Sequence, residues 1–315
     1  MDLKAISEIC SRHGTELLIN TPVAPYTSFK IGGSCNIVKL NGTPVLTELL
    51  SFCKRNSIPR YVLGKGSNVL ISDKGLPGIV LLMGESFSGI DIEDSKNGQP
   101  QHKIIVAQAG ARLSDICKAA ALHSLTGMEF AYGIPGTAGG ALYMNAGAYG
   151  GEMAHVVESC SYIDTDSGRL CCCNADDMKL SYRHSIFSEQ DWVITKVKFR
   201  LKYGDKLQIK SRMDEITAAR KEKQPLDFPS AGSTFKRPPP TLQGEPVFAA
   251  KLIDDCGLKG RSIGGAAVSE KHAGFVINKG NATFDDVAAL IELIQQEVHS
   301  QTGVMLEREV KTWSF

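Results

Sequence analysis

The glycine-rich stretch GIPGTAGGALYMNAGAYGG, from Gly133 to Gly151, constrains the fold of this 315-residue chain more than any other feature. Seven of its residues are glycine, and each glycine weakens a helix or strand by roughly 0.5–1 kcal/mol relative to alanine. A segment selected only for stability would not keep them. We therefore expect this backbone to bend closely around another group.

The overall composition is that of a globular protein with small-molecule rather than polymer partners. Hydrophobic residues make up 43% and charged residues 22%, and the formal net charge is +1. No long basic block occurs, so no nucleic-acid partner is expected. The first residues lack the apolar core of a signal peptide, and no apolar run reaches the length of a membrane span. We expect a cytoplasmic monomer with no membrane partner.

The nine cysteines do not indicate disulfides or a metal site. Their number is odd, and their spacing fits no disulfide framework. The run Cys171–Cys173 contains no C-x-x-C pair and has no histidine at ligand spacing beside it, so no metal is predicted. In a strand these side chains would alternate between faces and pack as small apolar residues. A reducing cytoplasm is the simplest setting.

Hydrophobic periodicity predicts an α+β chain in three parts. The first part has a β-α-β pattern typical of a small α/β unit, and the middle region is rich in strands. Among the helices, 283–303 is the clearest because Thr283 and Asp286 resemble a capping box. Strands are predicted at 36–40, 60–64, 78–84, 103–111, 156–165, 169–174, 192–201, 274–278 and 304–313. Helices are predicted at 44–56, 112–124, 207–224, 246–257 and 283–303. Residues 91–103 are predicted as a polar loop.

Glycine-rich loops often hold phosphates, but the common nucleotide motifs do not match. The segment GKGSNVL (64–70) begins like the dinucleotide fingerprint, yet Val69 stands where the third glycine is needed. No P-loop pattern occurs in the sequence. Free N–H groups in turns form anion-binding concavities, so IGGS (31–34) and GKGSN could contribute to one cradle. The simpler interpretation is tight turns between strands.

A serine hydrolase is the rival enzyme interpretation. GRSIG (260–264) matches G-x-S-x-G, with Ser262 as the nucleophile and His272 or His299 as a possible base. A nucleophile elbow needs a strand before the serine and a helix after it. A predicted helix and a turn precede Ser262 instead, so we interpret it as a loop residue.

Three further polar residues carry little information when each is taken alone. Arg183 fits a surface ion pair, Ser233 fits a turn, and Glu309 fits a solvated carboxylate on an alternating strand. Spacing in the sequence does not say whether these three meet.

Taken together and in order, the motifs resemble those of the UDP-N-acetylenolpyruvoylglucosamine reductase (MurB) family. They are TSFKIGG (27–33), GKGSNVL, GIPGTAGG with NAGAYGG, YRHSIF, GSTFKRP, AAKLIDDCGLKG, HAGFVIN and the terminal EREV. The resemblance implies a vanillyl-alcohol-oxidase-type (PCMH-like) FAD-binding fold in two α+β parts, plus a smaller α+β substrate-binding domain. The implied parts are 1–80 with the C-terminal strand 304–315, then 81–206, then 207–303. With no inserted substrate-covering loop, the chain resembles the shorter, second type of the family.

The resemblance also implies a reaction in peptidoglycan precursor synthesis. NADPH would reduce bound FAD, and flavin N5 would deliver hydride to the vinyl carbon of UDP-N-acetylglucosamine enolpyruvate, giving UDP-N-acetylmuramate. Arg183 and Glu309 would hold and polarise the substrate carboxylate, since stabilising developing charge is usually the largest catalytic contribution. Ser233 would donate the proton. A serine hydroxyl is a weak acid, so a neighbour such as Lys236 would have to stabilise its alkoxide.

Carried over position by position, the family motifs mark a set of ligand-binding residues. The implied FAD-binding residues are Ile31, Gly32, Gly33, Gly64, Lys65, Gly66, Ser67, Asn68, Val69, Leu70, Gly133, Ile134, Pro135, Gly136, Thr137, Gly139, Gly140, Asn145 and Gly147. The implied substrate-binding residues are Tyr149, Lys236 and Arg237, the last replacing the asparagine of the family's F-K-N-P. Two alternatives stay open: a hydrolase using Ser262, and a flavin-binding module without reductase activity.

Overall fold

The computed structural model describes residues 1–95, 101–241 and 243–314, and it is a mixed α/β protein. Its helices are α1 (Leu3–Arg12), α2 (Thr43–Arg55), α3 (Leu113–Leu122), α4 (Ala138–Tyr143), α5 (Lys206–Lys223), α6 (Ala249–Asp255) and α7 (Phe284–Thr302). Its strands are β1 (Glu16–Pro22), β2 (Ser34–Leu40), β3 (Arg60–Leu63), β4 (Val69–Ile71), β5 (Ile79–Met83), β6 (Ile90–Asp94), β7 (His102–Gln108), β8 (Leu125–Thr126), β9 (Gly147–Ala148), β10 (Gly151–Glu152), β11 (Val157–Asp164), β12 (Arg169–Asn174), β13 (Trp192–Tyr203), β14 (Ser262–Ile263), β15 (Ala266–Val268), β16 (Val276–Asn278) and β17 (Lys311–Trp313).

The chain forms two compact units, each assembled from separate segments. Unit 1 contains Met1–Ile19, Asn36–Lys65 and Gly78–Arg220, and unit 2 contains Asn20–Cys35, Gly66–Pro77 and Lys221–Phe315. Two short segments from the first 80 residues thus belong with the C-terminal region. The predicted boundaries at residues 80, 206 and 303 divide the chain by the ligand that each part binds. The two compact units do not test those boundaries, which stay a prediction.

Unit 1 begins with a sheet in the order β1-β2-β5-β3, in which β5 is parallel to both β2 and β3. Helix α2 connects β2 to β3, as the predicted β-α-β pattern requires. The buried positions of α2 are Val45, Leu46, Leu49, Leu50 and Cys53. Their spacing places them on one face of the helix, which confirms the predicted periodicity.

The second sheet of unit 1 has the order β12-β11-β13-β7-β6 and is antiparallel throughout. It confirms the strand-rich middle region. The prediction of a polar loop over 91–103 is wrong at both ends, because Asp91–Asp94 belong to β6 and His102 begins β7. Strand β6 lies at the edge of the sheet, and its exposed residues Asp91, Glu93 and Asp94 make the segment look like a polar loop in the sequence. Residues 96–100 of that predicted loop lie outside the described residues.

A single hydrophobic cluster joins the two sheets of unit 1. Val38 and Leu81 come from the first sheet, and Ile105 and Phe199 come from the second, all at 0% exposure. Helix α4, inside the glycine-rich stretch, adds Leu142 to the same cluster. The glycine-rich stretch is therefore anchored in the core of unit 1.

Unit 2 is built on α7 and a three-stranded antiparallel sheet, β14-β15-β16. Helix α7 starts at a complete Thr283–Asp286 capping box and ends at Gly303, as predicted. Its buried face, including Leu290 and Ile294, packs in a second hydrophobic cluster with Phe29. Short strand β17 pairs in parallel with β4.

The predicted strand at 304–313 is wrong over most of its length. Only Lys311–Trp313 forms a strand, while Arg308 makes a single isolated antiparallel bridge to Phe235. The alternation of Val304, Leu306 and Val310 instead reflects anchoring of an irregular segment, since Leu306 and Val310 are buried in the unit 2 cluster. An extended segment that buries alternate side chains shows the same two-residue hydrophobic period as a strand, even when no partner strand runs beside it.

All nine cysteines lie in the described part of the chain and are free thiols. Cys173 is buried, Cys171 is half-buried and Cys172 is exposed, which confirms the predicted alternation along β12. Within the described ranges, no cluster of three or more potential metal-ligating side chains occurs. None of the helices in those ranges has the length and hydropathy needed to cross a membrane.

Candidate active site

The seven glycines of the 133–151 stretch fall into two groups. At Gly139, Gly147 and Gly151 an added Cβ would lie 2.9, 2.7 and 2.5 Å from the nearest protein atom, in Ala109, Gly151 and the Phe130 ring respectively. Gly133 is similarly close to the side chain of Arg220, at 2.3 Å. Core packing therefore requires glycine at 139, 147 and 151, whereas the crowding at Gly133 comes from the outer part of the flexible Arg220 side chain.

The other glycines of the stretch have room for a side chain. At Gly136 the nearest atom to an added Cβ is 3.6 Å away, and at Gly140 it is 3.5 Å away, both ordinary contact distances. Gly150 has nothing within 4 Å, although its φ of +85° favours glycine. Gly140 is exposed on α4 with no positive φ. Core packing does not explain why Gly136 and Gly140 are glycine.

Two of the segments predicted to bind FAD meet in unit 1. An added Cβ at Gly64 would lie 2.5 Å from the hydroxyl oxygen of Thr137. Thr137 is itself buried, at 4% exposure. Residues 64–65 and 133–140 thus lie against each other, which their separation in the sequence did not reveal. Ile134 and Pro135 are in the same loop, Ile134 half-buried and Pro135 exposed.

A hairpin tip carries Tyr149 next to these loops. Strands β9 and β10 pair antiparallel, and Tyr149 and Gly150 form the turn between them. Tyr149 has a φ of +52°, a conformation that bulky side chains rarely adopt. Its side chain is 39% exposed. Such local strain is concentrated at functional sites, which agrees with a ligand-binding role.

Arg183 also sits at a strained turn of unit 1. Ser181 and His184 exchange backbone hydrogen bonds of 3.2 and 3.0 Å around Tyr182 and Arg183. Arg183 has a φ of +55°, and its guanidinium carbon lies 5.0 Å from the centre of the Tyr182 ring. The turn presents a half-buried cation with a stacking partner.

Asn145 holds this turn from within the glycine-rich stretch. It is completely buried, so its predicted role in binding FAD would be indirect. Its side-chain amide donates to the Ser181 carbonyl at 3.0 Å, and its side-chain oxygen accepts from the Ala154 N–H at 2.9 Å. The geometry fits a positioning residue for Arg183.

The segment 64–70 is divided between the units, and its second part lies in unit 2. There the Gly66 carbonyl accepts from the N–H of Ser28 at 3.0 Å, and the Gly33 N–H donates to Ser72 at 2.9 Å. The loop 31–33 and the segment 66–72 therefore belong to one backbone network. Ser67 and Asn68 are half-buried between Gly66 and β4.

Some predicted FAD-binding residues turn their side chains into the core of unit 2. Ile31 and Leu70 are buried there, at 2% and 0% exposure. Val69 and Leu70 also use their backbone to pair with β17. Any contact of these residues with a cofactor would have to come from backbone atoms. Gly32 has no room for a Cβ, which would lie 2.5 Å from Val23.

The most informative feature of unit 2 is the pairing of the Ser233 segment with the Glu309 segment. The Glu309 N–H donates to the Thr234 carbonyl at 2.8 Å, and the Lys236 N–H donates to the Glu307 carbonyl at 2.8 Å. Ser233 and Glu309 are thus near neighbours although far apart in the sequence. The Asn68 side chain donates to the Glu309 carbonyl at 3.3 Å, which ties the GKGSN segment to the same place.

Two cations follow Ser233 on this paired segment. The Lys236 ammonium forms an ion pair with the Glu307 carboxylate. The Arg237 guanidinium carbon lies 5.3 Å from the centre of the Phe248 ring. Because the Glu307 carboxylate is 70% exposed, this pair is worth little energetically, and Lys236 can exchange partners at small cost.

Ser262 is not placed like a hydrolytic nucleophile. It lies in β14, the first strand of a small antiparallel sheet, rather than at a turn between a strand and a helix. Across the part of the chain that the structure describes, its hydroxyl makes no hydrogen bond to His272 or His299. The geometry does not support the hydrolase alternative.

Sequence reasoning missed Arg220, which lies in α5 against Gly133. Helix α5 looks polar in the sequence, but Ile209, Met213 and Ile216 on it are buried. Arg220 continues their spacing on the same helix face, which is the signal that sequence reasoning overlooked.

Comparison with known proteins gives consistent matches across the whole chain. The family model "UDP-N-acetylenolpyruvoylglucosamine reductase, C-terminal domain" matches residues 224–313, and the model "FAD binding domain" matches residues 37–174. The UDP-N-acetylenolpyruvoylglucosamine reductase of Caldanaerobacter subterraneus subsp. tengcongensis is 48% identical over 297 residues, covering 94% of this chain and 93% of that protein. The protein of the same name from Agathobacter rectalis is 44% identical over 313 residues, covering 98% and 97%.

A solved structure matches over nearly the same extent. The crystal structure of UDP-N-acetylenolpyruvylglucosamine reductase from Thermus caldophilus superposes with a TM-score of 0.77 at 32% identity. The match covers 95% of this chain and 99% of that one. The fold, with an FAD-binding domain followed by a second domain, is therefore shared along the whole chain.

Proposed function

Because the chain belongs to the UDP-N-acetylenolpyruvoylglucosamine reductase family, we propose that it reduces UDP-N-acetylglucosamine enolpyruvate with NADPH, through bound FAD. Membership makes it an oxidoreductase of peptidoglycan precursor synthesis. The observation that carries the proposed chemistry is the pairing of the Ser233 and Glu309 segments in unit 2. It brings the backbone next to Ser233 against that of Glu309. We propose that the Ser233 hydroxyl acts as the proton donor and that the Glu309 carboxylate orients the substrate carboxylate.

The residues of the glycine-rich stretch fit the proposed cofactor. Gly140 weakens a short helix without any internal reason, because an added Cβ would meet only ordinary contacts. A flat ring system approaching the backbone closely would explain this glycine and Gly136. The contact of Gly64 with Thr137 adds a second loop to the same surface of unit 1.

When bound, FAD would supply the hydride through flavin N5. Ser233 would donate the proton to the carbon next to the carboxylate. Its hydroxyl now donates to the Phe235 carbonyl at 3.3 Å, a long hydrogen bond that costs little to exchange for a substrate contact. We propose that Glu309 orients the substrate carboxylate and that Arg183 stabilises the negative charge that develops on it.

The remaining expectations concern the substrate and the setting of the enzyme. Lys236 and Arg237 lie three and four residues after Ser233, and we propose that they bind the diphosphate of the substrate. Tyr149, exposed at its hairpin tip, is proposed to contact substrate as well. A cytoplasmic location and a monomeric state are proposed too, and light scattering after size-exclusion chromatography would test the latter.

The first experiment is a visible spectrum of the purified protein under anaerobic conditions. A flavin spectrum that bleaches with NADPH and returns with UDP-N-acetylglucosamine enolpyruvate would establish both half-reactions. Failure to bind added FAD would contradict the cofactor. A protein that binds FAD but neither bleaches nor recovers would be the flavin-binding module of the alternative interpretation.

A variant pair then tests the proton donor. Ser233→Ala should keep FAD and the reaction with NADPH, while turnover of substrate falls by about 10²–10⁴-fold, the usual contribution of a general acid. Ser262→Ala is the matched control and should retain wild-type turnover. Near-normal turnover by Ser233→Ala would remove Ser233 as the acid.

A further inference from the structure

Arg220 is a partly buried cation whose charge is not matched by a neighbour. Within residues 1–95, 101–241 and 243–314, no carboxylate lies at ion-pair distance from its guanidinium, and the guanidinium donates no hydrogen bond. Burial lowers the pKa of the Arg220 guanidinium, and the nearby Tyr149 phenol opposes this effect. Enclosing a charge without a partner is costly, so such a group is expected to meet an anion in the working protein.

The surroundings of Arg220 show that the fold makes room for it. A Cβ at Gly133 would lie 2.3 Å from its Cδ and 2.9 Å from its Nε, so any other residue at 133 would displace the side chain. Gly133 belongs to the segment that also contacts Gly64 through Thr137. Arg220 therefore lies on the surface formed by the predicted FAD-binding loops of unit 1.

Tyr149 supplies a second donor at the same place. Its hairpin packs at Gly151 against the Phe130 ring, three residues before Gly133, so the phenol is carried towards the Arg220 side chain. Its backbone holds a strained φ of +52° at the tip of the β9–β10 hairpin. Glycine or asparagine would occupy that turn position with less strain. A tyrosine there indicates that the side chain is used.

We propose that Arg220 and Tyr149 together bind a diphosphate group. The planar guanidinium fork matches two phosphate oxygens at once, and the phenol O–H adds a further donor. The inference deepens the proposed function and rests on it for the three available sources of diphosphate, which are FAD, NADPH and the UDP moiety of the substrate. Each of these ligands carries an esterified diphosphate with the same charge and the same oxygen acceptors, so the experiment must distinguish the ligands from one another.

The test compares Arg220→Met with wild type and with Arg212→Gln. Methionine keeps the aliphatic stem that lies against Gly133 while it removes the charge. Arg212 lies on the same helix, is 50% exposed and pairs with Glu215 three residues away, so its replacement is a matched control. Binding of FAD and riboflavin to apoprotein, and of UDP and NADP⁺ to FAD-loaded protein, is measured by titration.

If the diphosphate of FAD is the ligand, Arg220→Met weakens FAD binding by about 10- to 100-fold and leaves riboflavin binding unchanged. If the diphosphate of the substrate is the ligand, FAD binding stays at the wild-type level. UDP binding then weakens by a similar factor, and KM rises while kcat stays near wild type. Tyr149→Phe should reproduce the same pattern more weakly.

A second readout separates binding from a structural role. Removing an unmatched buried charge should leave the unfolding temperature of the apoprotein unchanged or raise it. A structural role would lower that temperature. Unchanged affinities for FAD, UDP and NADP⁺ in Arg220→Met would overturn the proposal, whatever the unfolding temperature. Because these are binding measurements, they stand even if wild-type protein fails to reduce the enolpyruvyl substrate.

Discussion

The buried side chain of Asn145 donates a 3.0 Å hydrogen bond to the backbone carbonyl of Ser181, the residue that begins the turn of Arg183. The other end of the same carboxamide accepts from the Ala154 N–H. The Asn145 side chain thus links the glycine-rich stretch to the segment that follows β10 and to the strained Arg183 turn.

Asn145→Ala should therefore damage both stability and catalysis. It leaves the Ser181 carbonyl and the Ala154 N–H unsatisfied in a buried place, so the free energy of unfolding should fall by about 1–3 kcal/mol. Because Arg183 is held less firmly, kcat should fall more than KM changes. Denaturant unfolding and steady-state kinetics would measure the two effects. Asn174→Ala, at the exposed last residue of β12, should change neither. Equal kinetics for the two variants would separate Asn145 from the site.

Adjacent glycines in α4 should respond oppositely to alanine. Gly139→Ala places a Cβ 2.9 Å from that of Ala109, so it should lower the free energy of unfolding by about 1–3 kcal/mol. Gly140→Ala meets only an ordinary 3.5 Å contact, so the helix should gain up to about 1 kcal/mol. FAD affinity should nevertheless fall in Gly140→Ala, because the new methyl group occupies the face left open for the ligand.

Thermal unfolding of both apoproteins and FAD titration would check this pair. Unchanged FAD affinity in Gly140→Ala would mean that the cofactor does not approach the helix there.

The glycines of this stretch also show how far their roles could be predicted from the sequence. Seven glycines in one stretch predicted a special backbone, but only neighbours such as Ala109 and Phe130 show which of them serve internal packing.

The capping box of α7 should make stability depend on pH in the acid range. The N–H groups of Thr283 and Gly265 donate to the Asp286 carboxylate, and these hydrogen bonds lower its pKa. A lowered folded-state pKa contributes stability that is fully present above the unfolded value of about 3.9 and is lost as pH falls through the folded value. Asp286→Asn should therefore be less stable than wild type from neutral pH down to about pH 4, and the difference should shrink below that.

Urea unfolding at a series of pH values would measure that difference. Asp285→Asn is the control, because the Asp285 carboxylate accepts no hydrogen bond within the ranges that the structure describes. A difference between wild type and Asp286→Asn that is constant down to pH 2 would contradict the assignment.

Thiol labelling should find Cys172 first. It is the exposed cysteine of the run on edge strand β12, whereas burial raises the pKa of Cys53 to about 11 and holds its thiol protonated. A thiolate is the reactive form, so Cys53 should react only after unfolding. Reaction with a coloured disulfide reagent at neutral pH should show a fast phase that disappears in Cys172→Ser and persists in Cys256→Ser. A fast phase that survives Cys172→Ser would place the accessible thiol elsewhere.

Local patterns predicted local structure well and long-range structure poorly. The apolar spacing of α2 and the Thr283–Asp286 box each act within a few residues, and both predictions are confirmed. The strand prediction at 304–313 was wrong because alternation reports burial and not the presence of a partner strand. No pattern in the sequence could show that the Ser233 segment pairs with Glu309, or that Arg220 lies against Gly133, since both depend on tertiary contacts.

The parallel pairing of β4 with β17 bears on how the protein is made. Synthesis proceeds from the N-terminus, and domains generally fold as they emerge. Unit 1 has nearly all of its sequence once α5 has left the ribosome, but Phe29 and Leu70 of unit 2 belong to a hydrophobic cluster centred on α7. These N-terminal apolar segments lack their packing partners on α7, and so stay exposed, while most of the chain is translated. We therefore expect chaperones to bind the nascent chain until β17 has been synthesised. Slowing translation near the 3′ end of the message should increase aggregation of the protein.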